Sequence, residues 1–211
     1  MYEYHHLDVL KKTRLVPVVV LNDAEKAVPL AKALCAGGIP IAEVTFRTPQ
    51  AAESIRRMSD EVPEILVGAG TVHTVETAEL AVKNGAKFIV TPGYHEPVVD
   101  WCIAHDIDVF PGCVTPSDLE RLLQKGLTVA KFFPAEAFGG VKVLKAFAGP
   151  YADIQFMPTG GIHEKNVRDY LALPTVLACG GAWMAPEALV TNGEFEQIAQ
   201  LCRQGVRGLT D

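Results

Sequence analysis

Short β-branched apolar runs alternate with longer amphipathic stretches along the whole chain, and no other feature limits its fold as strongly. Eight runs read as strands, at 16–21, 41–46, 65–70, 88–92, 108–112, 128–134, 154–161 and 175–181. Helical spacing fills the intervals at 23–36, 49–59, 74–84, 96–105, 116–125, 141–147, 164–171 and 186–203, and a further helix is predicted over 4–13. Start signals support several of these. Asn22-Asp23, Thr48-Pro49 and Thr115-Pro116 each pair a capping side chain with an early helical residue or a proline. Gly37-Gly38, Gly85 and Gly126 stand where helices should stop.

Strands this apolar cannot face water, so they should be parallel and covered by helices. Eight such units in 211 residues close naturally into one (β/α)8 TIM barrel, an α/β fold occupying residues 1–211 as a single domain, with the N-terminal helix across its base. A doubly wound open sheet is the rival. Its glycine-rich first turn is missing, because Leu21-Asn22-Asp23-Ala24 follows the first strand.

Composition narrows the partners. With 49% hydrophobic and 21% charged residues the chain has the make-up of a packed globular protein. The 19 basic residues are scattered and the net charge is −6, which disfavours nucleic acid. No apolar run has the length of a membrane span, and Met1-Tyr2-Glu3-Tyr4-His5-His6 lacks the character of a signal peptide, so a cytoplasmic location is expected. The five cysteines are dispersed without a C-x-x-C pair, and small buried thiols are expected.

In a barrel of this kind, chemistry sits at the C-terminal ends of the strands. The second strand ends Glu43-Val44-Thr45-Phe46-Arg47, and period-two alternation sets Glu43, Thr45 and Arg47 on one face. If Val44 and Phe46 meet the helices, Glu43 and Arg47 point inward, either as a structural ion pair or as catalytic groups. The sixth strand reads Val129-Ala130-Lys131-Phe132-Phe133-Pro134, and Lys131 is the one lysine inside a predicted core strand. Removal from water disfavours an ammonium, and a neutral amine is a nucleophile able to form an imine. Lys131 is thus the first candidate for covalent catalysis, with a structural pairing to Glu43 as its plain alternative.

Three glycine-bearing strand ends have the pattern of anion sites: Gly68-Ala69-Gly70-Thr71, Pro158-Thr159-Gly160-Gly161 and Ala178-Cys179-Gly180-Gly181. Glycine lets backbone amides approach a ligand, and a following helix would add its positive end. The last two, at adjacent strand ends, suggest a phosphate grip. The histidines form no metal-ligating pattern: His5 and His6 fall in an N-terminus expected to fray, and His73 is the one placed to reach a substrate. No cofactor and no metal are called for.

Together these motifs resemble the bacterial 2-keto-3-deoxy-6-phosphogluconate (KDPG) and 4-hydroxy-2-oxoglutarate (KHG) aldolases over nearly the whole chain. Lys131-Phe132-Phe133-Pro134-Ala135 followed by Pro158-Thr159-Gly160-Gly161-Ile162 carries most of the likeness, with Glu43-Val44-Thr45-Phe46-Arg47-Thr48, Gly68-Ala69-Gly70-Thr71-Val72 and Val90-Thr91-Pro92-Gly93 beside it. The resemblance implies a homotrimeric barrel that acts late in the Entner–Doudoroff pathway and splits KDPG into pyruvate and glyceraldehyde 3-phosphate. It implies Lys131 as the Schiff-base lysine and Glu43 as the general acid/base. Arg47, Thr71 and the backbone around Pro92 would hold the carboxylate of the keto acid, and Phe133 would line the pocket. Gly160, Gly161, Gly180 and Gly181, with Thr159 beside them, would hold the phosphate of the aldehyde half.

One position departs from that pattern. The family usually has a serine after the second glycine pair, where this chain has Ala182. Loss of one donor to a charged oxygen costs about 1.5–3 kcal/mol, roughly tenfold to a hundredfold in binding. That raises the standing of the unphosphorylated KHG and of the C4 epimer of the sugar acid as substrates. From the residues alone, a phosphosugar isomerase or epimerase using Glu43 without an imine, and a noncatalytic phosphosugar-binding protein, remain alternatives.

Overall fold

The computed structural model describes residues 2–209. Among them are eight strands, β1 Leu15–Val19, β2 Ile41–Thr45, β3 Leu66–Gly70, β4 Phe88–Val90, β5 Asp108–Phe110, β6 Val129–Phe132, β7 Gln155–Pro158 and β8 Cys179–Gly181. Six form one parallel sheet in the order β5-β4-β3-β2-β1-β8, and β6 pairs in parallel with β7. Isolated bridges from Gly112 to Lys131 and from Thr159 to Gly180 set that pair between β5 and β8. The residues of β1 and β2 are buried throughout, as strands covered on both faces must be.

Ten α-helices accompany the strands: α1 Leu7–Thr13, α2 Ala27–Ala36, α3 Ala51–Glu61, α4 Val75–Lys83, α5 Glu96–Ala104, α6 Pro116–Gln124, α7 Gly140–Phe147, α8 Val167–Leu171, α9 Glu187–Asn192 and α10 Phe195–Arg207. Two of the anticipated caps form. Asp23 accepts from the Glu25 amide, and Thr115 makes a reciprocal capping box with Asp118 ahead of Pro116-led α6. The third does not, because Thr48 gives its hydroxyl to the Leu21 carbonyl and α3 begins only at Ala51. The single helix expected over 186–203 is two, since Asn192-Gly193 places Gly193 at φ 75, a left-handed cap that ends α9. Most strands are shorter than their apolar runs, because pairing stops where the chain turns toward the next helix.

The N-terminus departs most from expectation. Residues 4–6 are not helical, and they are pinned in place instead of frayed. Asp108, fully buried at the start of β5, accepts hydrogen bonds from the backbone N–H of His5 and of His6, each at 2.9 Å, and lies 2.9 Å from His6 Nδ1. His5 also pairs with Asp106 at 2.9 Å, and that carboxylate raises the His5 pKa. Tyr4 stacks on Phe110 while its hydroxyl accepts the amides of Thr128 and Val129. These contacts tie the segment to the ends of β5 and β6 where the strands begin. Met1 lies outside the described residues.

A buried carboxylate is tolerated when donors surround it, and removing its charge leaves donors short of an acceptor. Asp108→Asn is therefore expected to destabilise the protein by about 1–3 kcal/mol, read as a lower urea midpoint.

Candidate active site

Lys131 lies on β6 and is 5% exposed, and among the described lysines it alone is buried. Glu43 lies on β2 and is 1% exposed. These strands are not neighbours, yet Lys131 Nζ stands 3.1 Å from Glu43 Oε1. The two side chains meet across the interior that the curved strands enclose. The other carboxylate oxygen, Glu43 Oε2, is buried with no protein partner. Phe133, just past β6, sets its ring under the amine, with Nζ 5.1 Å from the ring centroid.

The interior is shaped by small residues. A side-chain carbon on Gly70 would stand 2.1 Å from Glu43 Oε1, so the carboxylate fits only because β3 ends in glycine. Gly68 makes room in the same way for the Phe88 ring, at 2.2 Å. Both were read from the sequence as part of an anion turn, and the structure shows that they admit neighbouring side chains. Gly112 faces the backbone of Pro92 and bridges to Lys131, which brings the turn after β4 beside β6.

Arg47 does not continue the inward alternation. β2 stops at Thr45, and Arg47 sits exposed in the turn beyond it, so it forms no ion pair with Glu43. Its Nε instead reaches Thr71 Oγ1 at 3.4 Å. Thr71 has φ 58, a left-handed conformation that is unusual for a β-branched residue and is the kind of local strain found at functional positions. Arg47 and Thr71 therefore stand together at the C-terminal ends of β2 and β3. His73 is exposed two residues further on.

The two glycine pairs also gather here. A side-chain carbon on Gly160 would meet Phe133 and Pro134 at 3.1–3.2 Å, and one on Gly180 would meet Thr159 Oγ1 at 2.4 Å. Gly160 and Gly161 have φ of 97 and 79, so both need glycine, whereas Gly180 and Gly181 are extended residues of β8. Of the helices behind them, α8 starts three residues later than expected, at Val167, whereas α9 starts at Glu187, within one residue of expectation. Glu136, held by the Tyr170 hydroxyl, backs onto Gly161, a neighbour the sequence reading did not identify.

Among the described residues no group of three or more His, Cys, Asp or Glu side chains gathers as a metal site. Cys102, Cys113, Cys179 and Cys202 are buried, Cys35 is half-buried, and burial pushes the Cys102 thiol up to about 12.

A buried primary amine touching a carboxylate, at the end of parallel strands, is the equipment of an enzyme that works through an imine. The family model described as "Aldolase: KDPG and KHG aldolase" matches residues 7–201. The chain is 47% identical to the 2-dehydro-3-deoxy-phosphogluconate aldolase of Treponema pallidum, over 93% of this chain and 94% of that protein. To the KHG/KDPG aldolase of Escherichia coli K12 it is 45% identical, over 95% and 94%. The crystal structure of a Legionella pneumophila KDPG aldolase, with pyruvate captured at low pH as a covalent carbinolamine, superposes with TM-score 0.93 at 38% identity, covering 97% of this chain and all of that one. The chain belongs to the KDPG and KHG aldolase family.

Gly70→Ala is expected to keep the fold while displacing the Glu43 carboxylate. In a steady-state aldol-cleavage assay kcat should fall by at least tenfold, with a stability loss of about 1–3 kcal/mol.

Proposed function

We propose that this protein is a class I aldolase that cleaves KDPG to pyruvate and glyceraldehyde 3-phosphate and also accepts KHG, with Lys131 as nucleophile and Glu43 as proton carrier. The observation that carries the proposal is the 3.1 Å contact between the two buried groups. The Legionella relative, in which pyruvate is held as a carbinolamine, supports the same chemistry here.

The steps follow from the geometry. Lys131 Nζ passes a proton to Glu43 and attacks the C2 carbonyl; Glu43 returns that proton to the carbinolamine hydroxyl, which leaves as water, so that a protonated imine remains beside a free carboxylate. Cleavage of C3–C4 sends its electron pair into the imine, so an enamine forms in place of a carbanion. As that bond breaks, the C4 hydroxyl must lose its proton to release an aldehyde. Glu43 Oε2, buried and without a protein partner, is the oxygen available to take it. The same carboxyl then returns the proton to C3, and water hydrolyses the pyruvate imine to restore Lys131. Glu43 carries a proton in imine formation and again in cleavage, and ends unchanged.

Arg47 and Thr71 hold the carboxylate of the keto acid, with the backbone at Pro92, while Phe133 walls the pocket. Thr159, Gly160, Gly161, Gly180 and Gly181 receive the phosphate. The whole chain is read as one (β/α)8 domain, a reading supported by the bridges flanking β6 and β7, and as a cytoplasmic homotrimer, as the family resemblance implies.

Two measurements test this reading. Incubation with pyruvate and borohydride should leave a stable pyruvyl adduct on Lys131, located by mass spectrometry. An unmodified Lys131, under conditions that trap a control imine enzyme, would remove the aldolase assignment and favour an isomerase or a binding protein. Ala182 is exposed beside Gly181, where a serine fits. Ala182→Ser should shift the kcat/KM ratio toward KDPG over KHG by about tenfold to a hundredfold.

A further inference from the structure

At the other end of the strands from Lys131 lies a cavity of about 550 Å³ lined by Lys11, Arg14, Arg168, Leu171, Ala172, Gly208 and Leu209. Arg14 immediately precedes β1, and Arg168 lies on α8, which descends toward the strand starts. Arg47 and Thr71 follow the last residues of β2 and β3, so this cavity is separate from the site already described.

Three cations converge here, and among the described residues that line the cavity there is no carboxylate. Lys11 and Arg168 are exposed, and their side chains have no hydrogen-bond or ion-pair partner among the described residues. Arg14 spends one bond, 2.8 Å, on the Leu171 carbonyl at the end of α8, which fixes its guanidinium at the cavity wall. Its backbone is also fixed, at φ 60, as the left-handed cap of α1. The Arg168 guanidinium lies over Gly208, 3.6 Å from where a side-chain carbon there would stand. An ammonium offers three donors and a guanidinium five. Most of that capacity is unused.

The termini of α1, α8 and α10 meet nearby, and cations are favourable at helix C-termini. That accounts for one hydrogen bond, the one from Arg14, and for none of the donors on Lys11 and Arg168. Past Arg168 and Gly208 the cavity adjoins a second hollow of about 280 Å³ lined by Glu164, Lys165, Val167, Trp183, Gln204 and Gly205. Glu164 is its one acidic residue and makes no ion pair with Arg168. Trp183 contributes an indole whose Nε1 is buried without an acceptor.

We infer that this cavity is a second anion site, built for a small metabolite carrying two or more phosphate charges. The guanidinium forks of Arg14 and Arg168 and the ammonium of Lys11 hold the phosphates, and Leu171, Ala172 and Leu209 meet the carbon body. The volume lies within the range of small-molecule sites.

Inorganic pyrophosphate, titrated calorimetrically into the full-length protein and into the K11Q/R168Q double variant, tests the site. Both side chains are exposed and neither belongs to the aldolase machinery, so the variant should keep its kcat/KM for KDPG and its thermal midpoint. The expected result is a binding event in the native protein that weakens by at least tenfold in the variant. Pyrophosphate binding of equal affinity and stoichiometry in both proteins, or absent from both, would overturn the site. A variant that loses thermal stability with pyrophosphate binding unchanged would assign the cations to the helix ends and overturn it equally.

Discussion

The buried pair of Lys131 and Glu43 is the contact on which the rest of this structure turns. Taking two charges out of water is costly, and their mutual attraction offsets that only when the geometry holds them together. With side-chain exposures of 6% and 1%, neither group can rely on solvent. The scaffold must therefore bring β2 and β6 face to face across a shared interior, fix the distance, and leave room for a substrate carbonyl. A carboxylate whose second oxygen has no protein partner leaves the pair incomplete as a structural device. In the proposed reaction that oxygen is the one available to receive the proton that moves during cleavage.

Small residues make this possible. Gly70 leaves space for the Glu43 carboxylate, Gly68 for Phe88, and Gly112 for the Pro92 backbone beside Lys131. Gly68 lies inside β3, Gly70 at its end and Gly112 just beyond β5, and at each a larger residue would push apart elements that are packed in contact. The glycines at 160 and 161 serve a different purpose, since their positive φ bends the chain after β7 toward Phe133 and Glu136. One residue type thus serves two physical needs, side-chain space at one set of positions and backbone turning at another.

The sequence disclosed the fold class because parallel strands buried on both faces leave a strong signature of apolar runs separated by helical spacing. It disclosed Lys131 for a related reason: a charged side chain inside such a run is conspicuous. Arg47 was misplaced, because alternation predicts direction only while a strand continues and β2 stops two residues earlier. His5 and His6 were read as frayed ends because their anchor, Asp108, lies about a hundred residues away, beyond any local pattern. The split of the last helix at Gly193 carried a usable local signal in Asn192-Gly193, which the longer amphipathic period obscured.

By itself, then, the sequence determined which residues must be buried, which lysine is exceptional and which family the motifs resemble, because burial and periodicity are local properties of a chain. Only the tertiary structure decided that Lys131 and Glu43 stand 3.1 Å apart while Arg47 turns away to Thr71. It also decided that Gly68 and Gly70 make space for Phe88 and Glu43, and that three cations converge where the strands begin. Each of those outcomes depends on side chains from elements far apart in the chain meeting within a few ångströms. Such distances are set by how strands curve and helices pack, and no stretch of sequence contains them.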